Sequence, residues 1–253
     1  MSDQSPQPGD ERTRQPVRVR VPNPNPYVTF AIMGLTILCF FLQNLLETLY
    51  GVDLLFAFWG KINSAILRGQ VWRLVTPVLL HGSVFHIGVN MYALFIIGRR
   101  LERFYGHRRF LLLYLLSAFG GNTLSFVLSS APSLGASTAV FGLMGAEIVF
   151  IYQNRKLFGA TRTRQAIFNL GVILVINLTY GFLPGLNIDN MGHIGGFIGG
   201  LFFAWKGGPL LVISREKVFA DMVDSRRKSD VLLATLVVMI GFIIIASIKF
   251  FST

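Results

Sequence analysis

The stretch Asn190-Met191-Gly192-His193-Ile194-Gly195-Gly196-Phe197-Ile198-Gly199-Gly200-Leu201-Phe202-Phe203-Ala204-Trp205 decides the fold. It is apolar over most of its length and carries no acidic or permanently charged residue. At helical spacing Gly192, Gly196 and Gly200 share one face, and a stripe of that kind lets a second helix come very close. Membrane helices associate through such small-residue contacts, because lipid tails leave little hydrophobic force between them. His193 sits within the run. A polar group in hydrocarbon is expensive unless it is hydrogen-bonded, so His193 needs either a partner or a task.

Working outward, five further apolar segments precede this run, at Val28–Leu46, Ser83–Gly98, Phe110–Ser130, Leu134–Tyr152 and Ala166–Pro184, and one follows, at Val231–Phe250. A span needs about 20 residues. The runs at Ser83–Gly98 and Asn190–Trp205 are shorter, which suits helices packed against protein inside a bundle. The 253 residues are 53% apolar and 14% charged, where a soluble domain carries about a quarter charged residues. The predicted fold is therefore all-α and polytopic.

Net charge is +11. In a soluble chain that would suggest nucleic acid. Here the cations gather in short segments between apolar runs, so membrane orientation is the expected cause and no nucleic-acid partner is predicted. Of the 23 Lys and Arg residues, all except Lys61, Arg68, Arg73 and Lys249 fall on one side of a seven-span alternation. The positive-inside rule puts that side, and the N-terminus, in the cytoplasm and the C-terminus outside. Residues 1–26 are polar, rich in Pro, Gln and Arg, and lack the apolar core of a signal peptide, so they read as a flexible cytoplasmic tail. Asp3, Asp10 and Glu11 in it resemble no transit peptide, and the plasma membrane is the expected location. The segment from Tyr50 to His81 is long and apolar with scattered charge, and is expected to lie in the interface with Trp59 and Trp72 at headgroup depth. The lone cysteine, Cys39, cannot form an intrachain disulfide, and no Cys/His cluster has zinc spacing. No metal and no cofactor are expected.

Three polar clusters stand out. In His81-Gly-Ser-Val-Phe-His86-Ile-Gly-Val-Asn90, His86 and Asn90 are four apart and share a helix face. They can aim donors at one point, as an oxyanion site requires, or simply bond to neighbouring helices. In Gly135-Ala136-Ser137-Thr138-Ala139, small residues clear space around Ser137, and the helix N-terminus beside it offers free N–H groups. The same pattern also describes a capped helix in close contact with another. His193 in the third cluster is either a base or a structural histidine. If the glycine stripe packs on the fourth span, where Gly142 and Gly145 offer a matching surface, His193 is delivered beside Ser137. The first turns of the second, fourth and sixth spans all lie on one side, so the three clusters converge at similar depth. Taking the chain as helical from Ala131 would place Ser137 about 9 Å deep at 1.5 Å per residue.

These motifs resemble those of the rhomboid protease family. The matching elements are Trp72-Arg73, His81…His86-xxx-Asn90, Gly135-Ala136-Ser137 and Gly192-His193-xx-Gly196, in the family's order, over about Tyr27 to Trp205. The resemblance implies a six-helix rhomboid-like core over 27–205 with a Ser–His dyad and no catalytic aspartate. A cytoplasmic linker, 206–230, then leads to a seventh transmembrane helix and the C-terminus, 231–253. It makes Ser137 the nucleophile, His193 the base, and His86 and Asn90, with the Ser137 N–H, the oxyanion site. Gly135 belongs to the same motif. Trp72-Arg73 matches a structural loop motif, and His81 matches a histidine near the water-accessible mouth. The family's usual Gly-x-Ser-Gly reads Gly-Ala-Ser-Thr here, with Thr138.

With no third catalytic member, His193 is expected to be oriented by packing, against Phe141 one turn after Ser137. The implied activity is serine endopeptidase cleavage of transmembrane protein substrates near their outer ends, within the lipid bilayer. A rhomboid-like pseudoprotease that binds membrane helices without cutting them is the alternative. A transporter is disfavoured because there is no inverted repeat and Glu147 is the one acid available inside a span. Glu147 reads as the structural partner of a polar group on a neighbouring helix. The substrate and the oligomeric state are not legible.

Overall fold

The computed structural model describes residues 19–22, 24–183, 188–214 and 220–251. The N-terminal tail expected over 1–26 lies largely outside the described residues.

The first helix, α1 (Tyr27–Tyr50), begins on a carboxylate from elsewhere in the chain. Glu102 is fully buried and accepts from the Val28 N–H at 2.9 Å, the Thr29 N–H at 2.8 Å and the Thr29 hydroxyl at 2.6 Å. An anion there satisfies orphan donors and meets the positive end of the helix dipole. Its far end closes on Gly51, whose φ of +72° is the left-handed cap that glycine adopts freely.

The predicted interfacial segment folds into α2 (Leu54–Trp59), α3 (Asn63–Leu67) and two 3-10 turns, Val71–Leu74 and Thr76–Leu79. Helix α2 is short, and side chains take up its terminal carbonyls. Arg73 donates to Ala57 O at 2.6 Å and Gly60 O at 2.7 Å, Trp72 to Phe58 O at 3.1 Å, and the Thr76 hydroxyl to Trp59 O at 2.8 Å. Arg73 is 3% exposed. Truncating it strands buried carbonyls, so Arg73→Ala is expected to cost about 2–4 kcal/mol, read as a lower unfolding temperature in detergent. Arg73→Lys, lacking the planar fork, should recover part of that loss.

The second predicted span is a continuous helical stretch: α4 (Val84–Ala93), a π-helical segment Leu94–Gly98, and α5 (Arg99–Tyr105). Then come α6 (His107–Leu128), α7 (Ser137–Gln153), the short α8 (Arg155–Phe158), α9 (Ala160–Gly181), α10 (Asn190–Gly207) and α11 (Lys228–Phe251). Helices α1, α6 and α11 are long and apolar enough to cross a membrane, and α7 is apolar at 17 residues. The fourth predicted run starts later than its hydropathy suggested. Gly135, at φ +128°, breaks the chain before Ser137, so no helical path leads from Ala131 and the depth of about 9 Å drawn from one does not apply.

Helices α6, α7 and α10 form the centre. A Cβ built on Gly196 would collide with the Thr138 carbonyl, and one on Gly200 with the Gly142 carbonyl. The α7–α10 contact is therefore backbone on backbone, along the stripe read from the sequence. The other side of α10 meets α6 just as closely: a Cβ on Gly195 would sit 2.6 Å from Gly120 O. Helix α11 covers α6 and α10 with Ala234, Val238, Phe242 and Ala246, and the Phe242 ring lies over Gly120 and Gly199.

Glu147 of α7 is buried and ion-paired with Arg100 of α5, a partner on a neighbouring element. At the same end of the bundle is a small sheet that an all-α reading did not anticipate. It consists of β1 (Val19–Arg20), β2 (Leu211–Ser214) and β3 (Ala220–Asp224), in the order β1-β3-β2, with β1 parallel and β2 antiparallel to β3. It is tied to the helices by Arg109–Asp224 at 2.7 Å and by Asn154, which accepts from Leu211 N at 2.7 Å. Segments within 1–26 and 206–230 are thus structured and paired with each other.

Candidate active site

Ser137 is the first residue of α7, preceded by Ala136 at φ −71°, ψ −7° with no side-chain cap. The first-turn N–H groups of a helix lack intrahelical acceptors and point back over its N-terminus. Three contacts fix the approach to Ser137. Gly135 N donates to Pro77 O at 2.9 Å, Ala136 N donates to His81 Nε2 at 3.3 Å, and Ser133 pairs with Lys61 main chain to main chain. Gly135 is required twice, since its φ is positive and a Cβ would lie 2.7 Å from the His86 ring.

His193, in the first turn of α10, is 7% exposed. Its Nε2 lies 2.9 Å from Ser137 Oγ. Phe141, one turn into α7, stacks on the imidazole at 4.1 Å between centroids and 9° between planes. That face-on contact leaves the ring few orientations, while Nδ1 is buried with no hydrogen-bond partner among the described residues. The hydroxyl and the imidazole meet in the geometry proton transfer needs.

The remaining predicted residues are placed less uniformly. His86, half-buried in the first turn of α4, sets its ring edge against Gly135, beside Ser137. Asn90 is buried one turn below, and its amide donates to His86 O at 3.0 Å. Among the described residues no hydrogen bond joins either to Ser137. His81 is 1% exposed rather than at a wet mouth. Its ring stands edge-on to His86 at 4.9 Å, and it serves as an acceptor for the main chain just before Ser137. Trp72 and Arg73 lie on the α2 carbonyls, as described above. No group of three or more His, Cys, Asp or Glu suited to a metal occurs among the described residues.

Two residues near the site, Asp189 and Lys61, were not read from the sequence as belonging to it. Asp189 caps α10 by accepting from Gly192 N at 2.9 Å and also accepts from the Ser125 hydroxyl at 2.5 Å. Lys61 is fully buried and donates to Ala131 O at 2.7 Å and Ser129 O at 3.3 Å. An aspartate immediately before a glycine-rich helix was the available signal for the first of these.

The rhomboid-domain family model matches residues 68–209, more than half of the chain. The chain belongs to the rhomboid family. Rhomboid protease GluP of Bacillus subtilis (strain 168) is 44% identical over 182 residues, covering 72% of this chain and 35% of that protein. RHOMBOID-like protein 1 of Arabidopsis thaliana is 39% identical, covering 57% and 36%, and Rhomboid-like protease 3 of Toxoplasma gondii is 38% identical, covering 52% and 50%. The chain thus spans between a third and a half of the length of these relatives. Rhomboid-family proteins are integral membrane proteins, consistent with the apolar helices here. The rhomboid match takes in Trp72-Arg73, the His86 and Asn90 turn, Ser137 and His193, and ends just before β2.

Proposed function

We propose that this chain is an intramembrane serine endopeptidase. Ser137 attacks the scissile carbonyl while His193 Nε2 takes its proton and later returns it to the leaving amine. The observation that carries the reading is the 2.9 Å contact between Ser137 Oγ and His193 Nε2, made across two helices. The resulting oxyanion is met by the first-turn N–H of Ser137 and by His86. Asn90 joins them once its amide leaves His86 O. Each such donor is worth about 3–4 kcal/mol in a water-excluded site. Phe141 holds the imidazole, and His81 and Gly135 hold the turn that presents the nucleophile.

The substrates are transmembrane segments of other proteins. A helix hides its own amides, so a segment must unwind locally before attack, and Gly or Pro near the cleavage point would ease that. The core spans 27–205 as six membrane helices, and the linker 206–230 leads to a seventh over 231–253. The arginine-rich end, with Arg100, Arg155 and Arg226, faces the cytoplasm, and Ser137 opens to the other side.

A fluorophosphonate probe tests this directly. The detergent-solubilised chain is expected to be labelled at Ser137 and to lose cleavage activity in step. A chain that is neither labelled nor active would turn the reading toward a pseudoprotease, and one labelled at Ser137 without loss of cleavage would remove Ser137 as the nucleophile.

A further inference from the structure

We propose that Asp189 is a positioning residue, whose carboxylate latches the first turn of α10 to α6 and so sets where His193 stands over Ser137. The inference rests on the Ser137–His193 reading above.

Helices α6 and α10 run antiparallel and touch at glycines. A Cβ on Gly121 would lie 2.6 Å from Gly192 O. Such a contact has no side chain to resist sliding or rotation of one helix on the other. One turn beyond it on α6 is Ser125, and just before Gly192 on α10 is Asp189. The Ser125 hydroxyl donates to Asp189 Oδ2 at 2.5 Å, and Gly192 N donates to Oδ1 at 2.9 Å. Both carboxylate oxygens are therefore engaged, one across to α6 and one along α10. The main chain adds His193 N to Asp189 O at 3.0 Å. The residue that carries the imidazole is thus bonded directly to the residue that anchors the helix.

The same end of α6 is held from a third element. Lys61, in the turn between α2 and α3, is fully buried, with its ammonium on the carbonyls of Ser129 and Ala131. Burial pushes this ammonium below the ordinary lysine value, and the negative charge of Asp189 acts against that. Lys61 ties down the chain leading to Ser137, while Asp189 ties down the helix bearing His193. The two anchors meet at the C-terminus of α6, which gives the nucleophile and the base a common reference. A displacement of the base by about 1 Å can cost about 100-fold in rate.

The test uses the full chain in detergent with three variants, Asp189→Ala, Asp189→Asn and the double variant Asp189→Ala/Ser125→Ala. Asparagine still accepts from Gly192 N and can donate to Ser125 Oγ. Asp189→Ala is expected to slow fluorophosphonate labelling of folded protein about 30-fold and to lower kcat alike with KM nearly unchanged. Asp189→Asn should keep most of the rate, and Asp189→Ala with Ser125→Ala should cost no more than Asp189→Ala alone. Amide hydrogen exchange at Gly192 and His193 should rise in Asp189→Ala while the α7 amides stay protected. Unchanged labelling and unchanged exchange in Asp189→Ala would overturn the proposal, as would a loss in Asp189→Asn equal to that in Asp189→Ala. If the unsubstituted chain itself is not labelled, the proposed function fails, and the exchange measurement still decides whether the latch exists.

Discussion

Ser137→Ala is expected to reduce cleavage of a single-span substrate to background, a loss on the order of 10⁴-fold or more. Nothing else near His193 can replace the missing nucleophile. Thr138, the adjacent hydroxyl, is buried against Gly121 and Gly192, and its oxygen finds no hydrogen-bond partner among the described residues. His193→Ala should fall as far, because the hydroxyl of Ser137 is a poor nucleophile without a base within hydrogen-bond reach. The double variant should be no worse than either single one, since the two residues act as one unit. Both single variants should fold, because Ser137 caps no helix with its side chain and His193 lies on the helix face that Phe141 covers. Cleavage assayed in detergent, with unfolding temperature measured beside it, separates a chemical loss from a structural one. Residual cleavage in Ser137→Ala above a few per cent of the parent rate would end the assignment.

The juxtaposition of these two residues was legible because it depends on local patterns that repeat. Gly192, Gly196 and Gly200 lie four apart, so their common face follows from helical geometry alone. The placement of His193 then follows from its position in the same run. Segment boundaries came within a few residues for the first and last runs, with Val28–Leu46 becoming Tyr27–Tyr50 and Val231–Phe250 becoming Lys228–Phe251. Ala166–Pro184, however, missed the polar first turns of a helix that starts at Ala160, and its Pro184 end lies outside the described residues. What stayed hidden depends on partners far apart in sequence. Glu102 caps α1 from over seventy positions away, and its role cannot be inferred from either neighbourhood. Lys61 reads as one more loop cation, yet its burial is set by carbonyls at the end of α6. The sheet is hidden for a further reason. Leu211-Val212-Ile213 has the β-branched character of a strand, but its pairing needs β3 and the end of the N-terminal tail, and no periodicity reports that. The late start of α7 escaped hydropathy because Leu134, Gly135 and Ala136 are as compatible with a span as with a turn, and the positive φ of Gly135 decides between them.

Gly196→Ala is the substitution that bears most directly on how the fold makes the site. The added methyl would meet the Thr138 carbonyl, with the carbonyl carbon at 2.8 Å and Thr138 Cα at 3.3 Å. These are backbone atoms of α7, one residue from the nucleophile, and they cannot turn aside as a flexible side chain would. Helix α10 must move off α7, and His193, three residues earlier on the same helix, moves with it. Overpacking of this kind costs about 1–3 kcal/mol, and separating the dyad should lower the cleavage rate of the protein that remains folded by about 100-fold. Gly200→Ala meets the Gly142 backbone with the same severity, so its stability loss should be similar. It lies two turns from His193, where the helix can bend locally, so the rate per folded molecule should fall less. Gly171→Ala on α9 has nothing within 4 Å of the new methyl, so it should leave the rate unchanged and leave stability unchanged or raised by up to about 1 kcal/mol. Unfolding temperature and cleavage rate measured on the three variants therefore form a graded series. A Gly196→Ala variant as stable and as active as the Gly171→Ala control would mean that the α7–α10 backbone contact does not set the distance between Ser137 and His193.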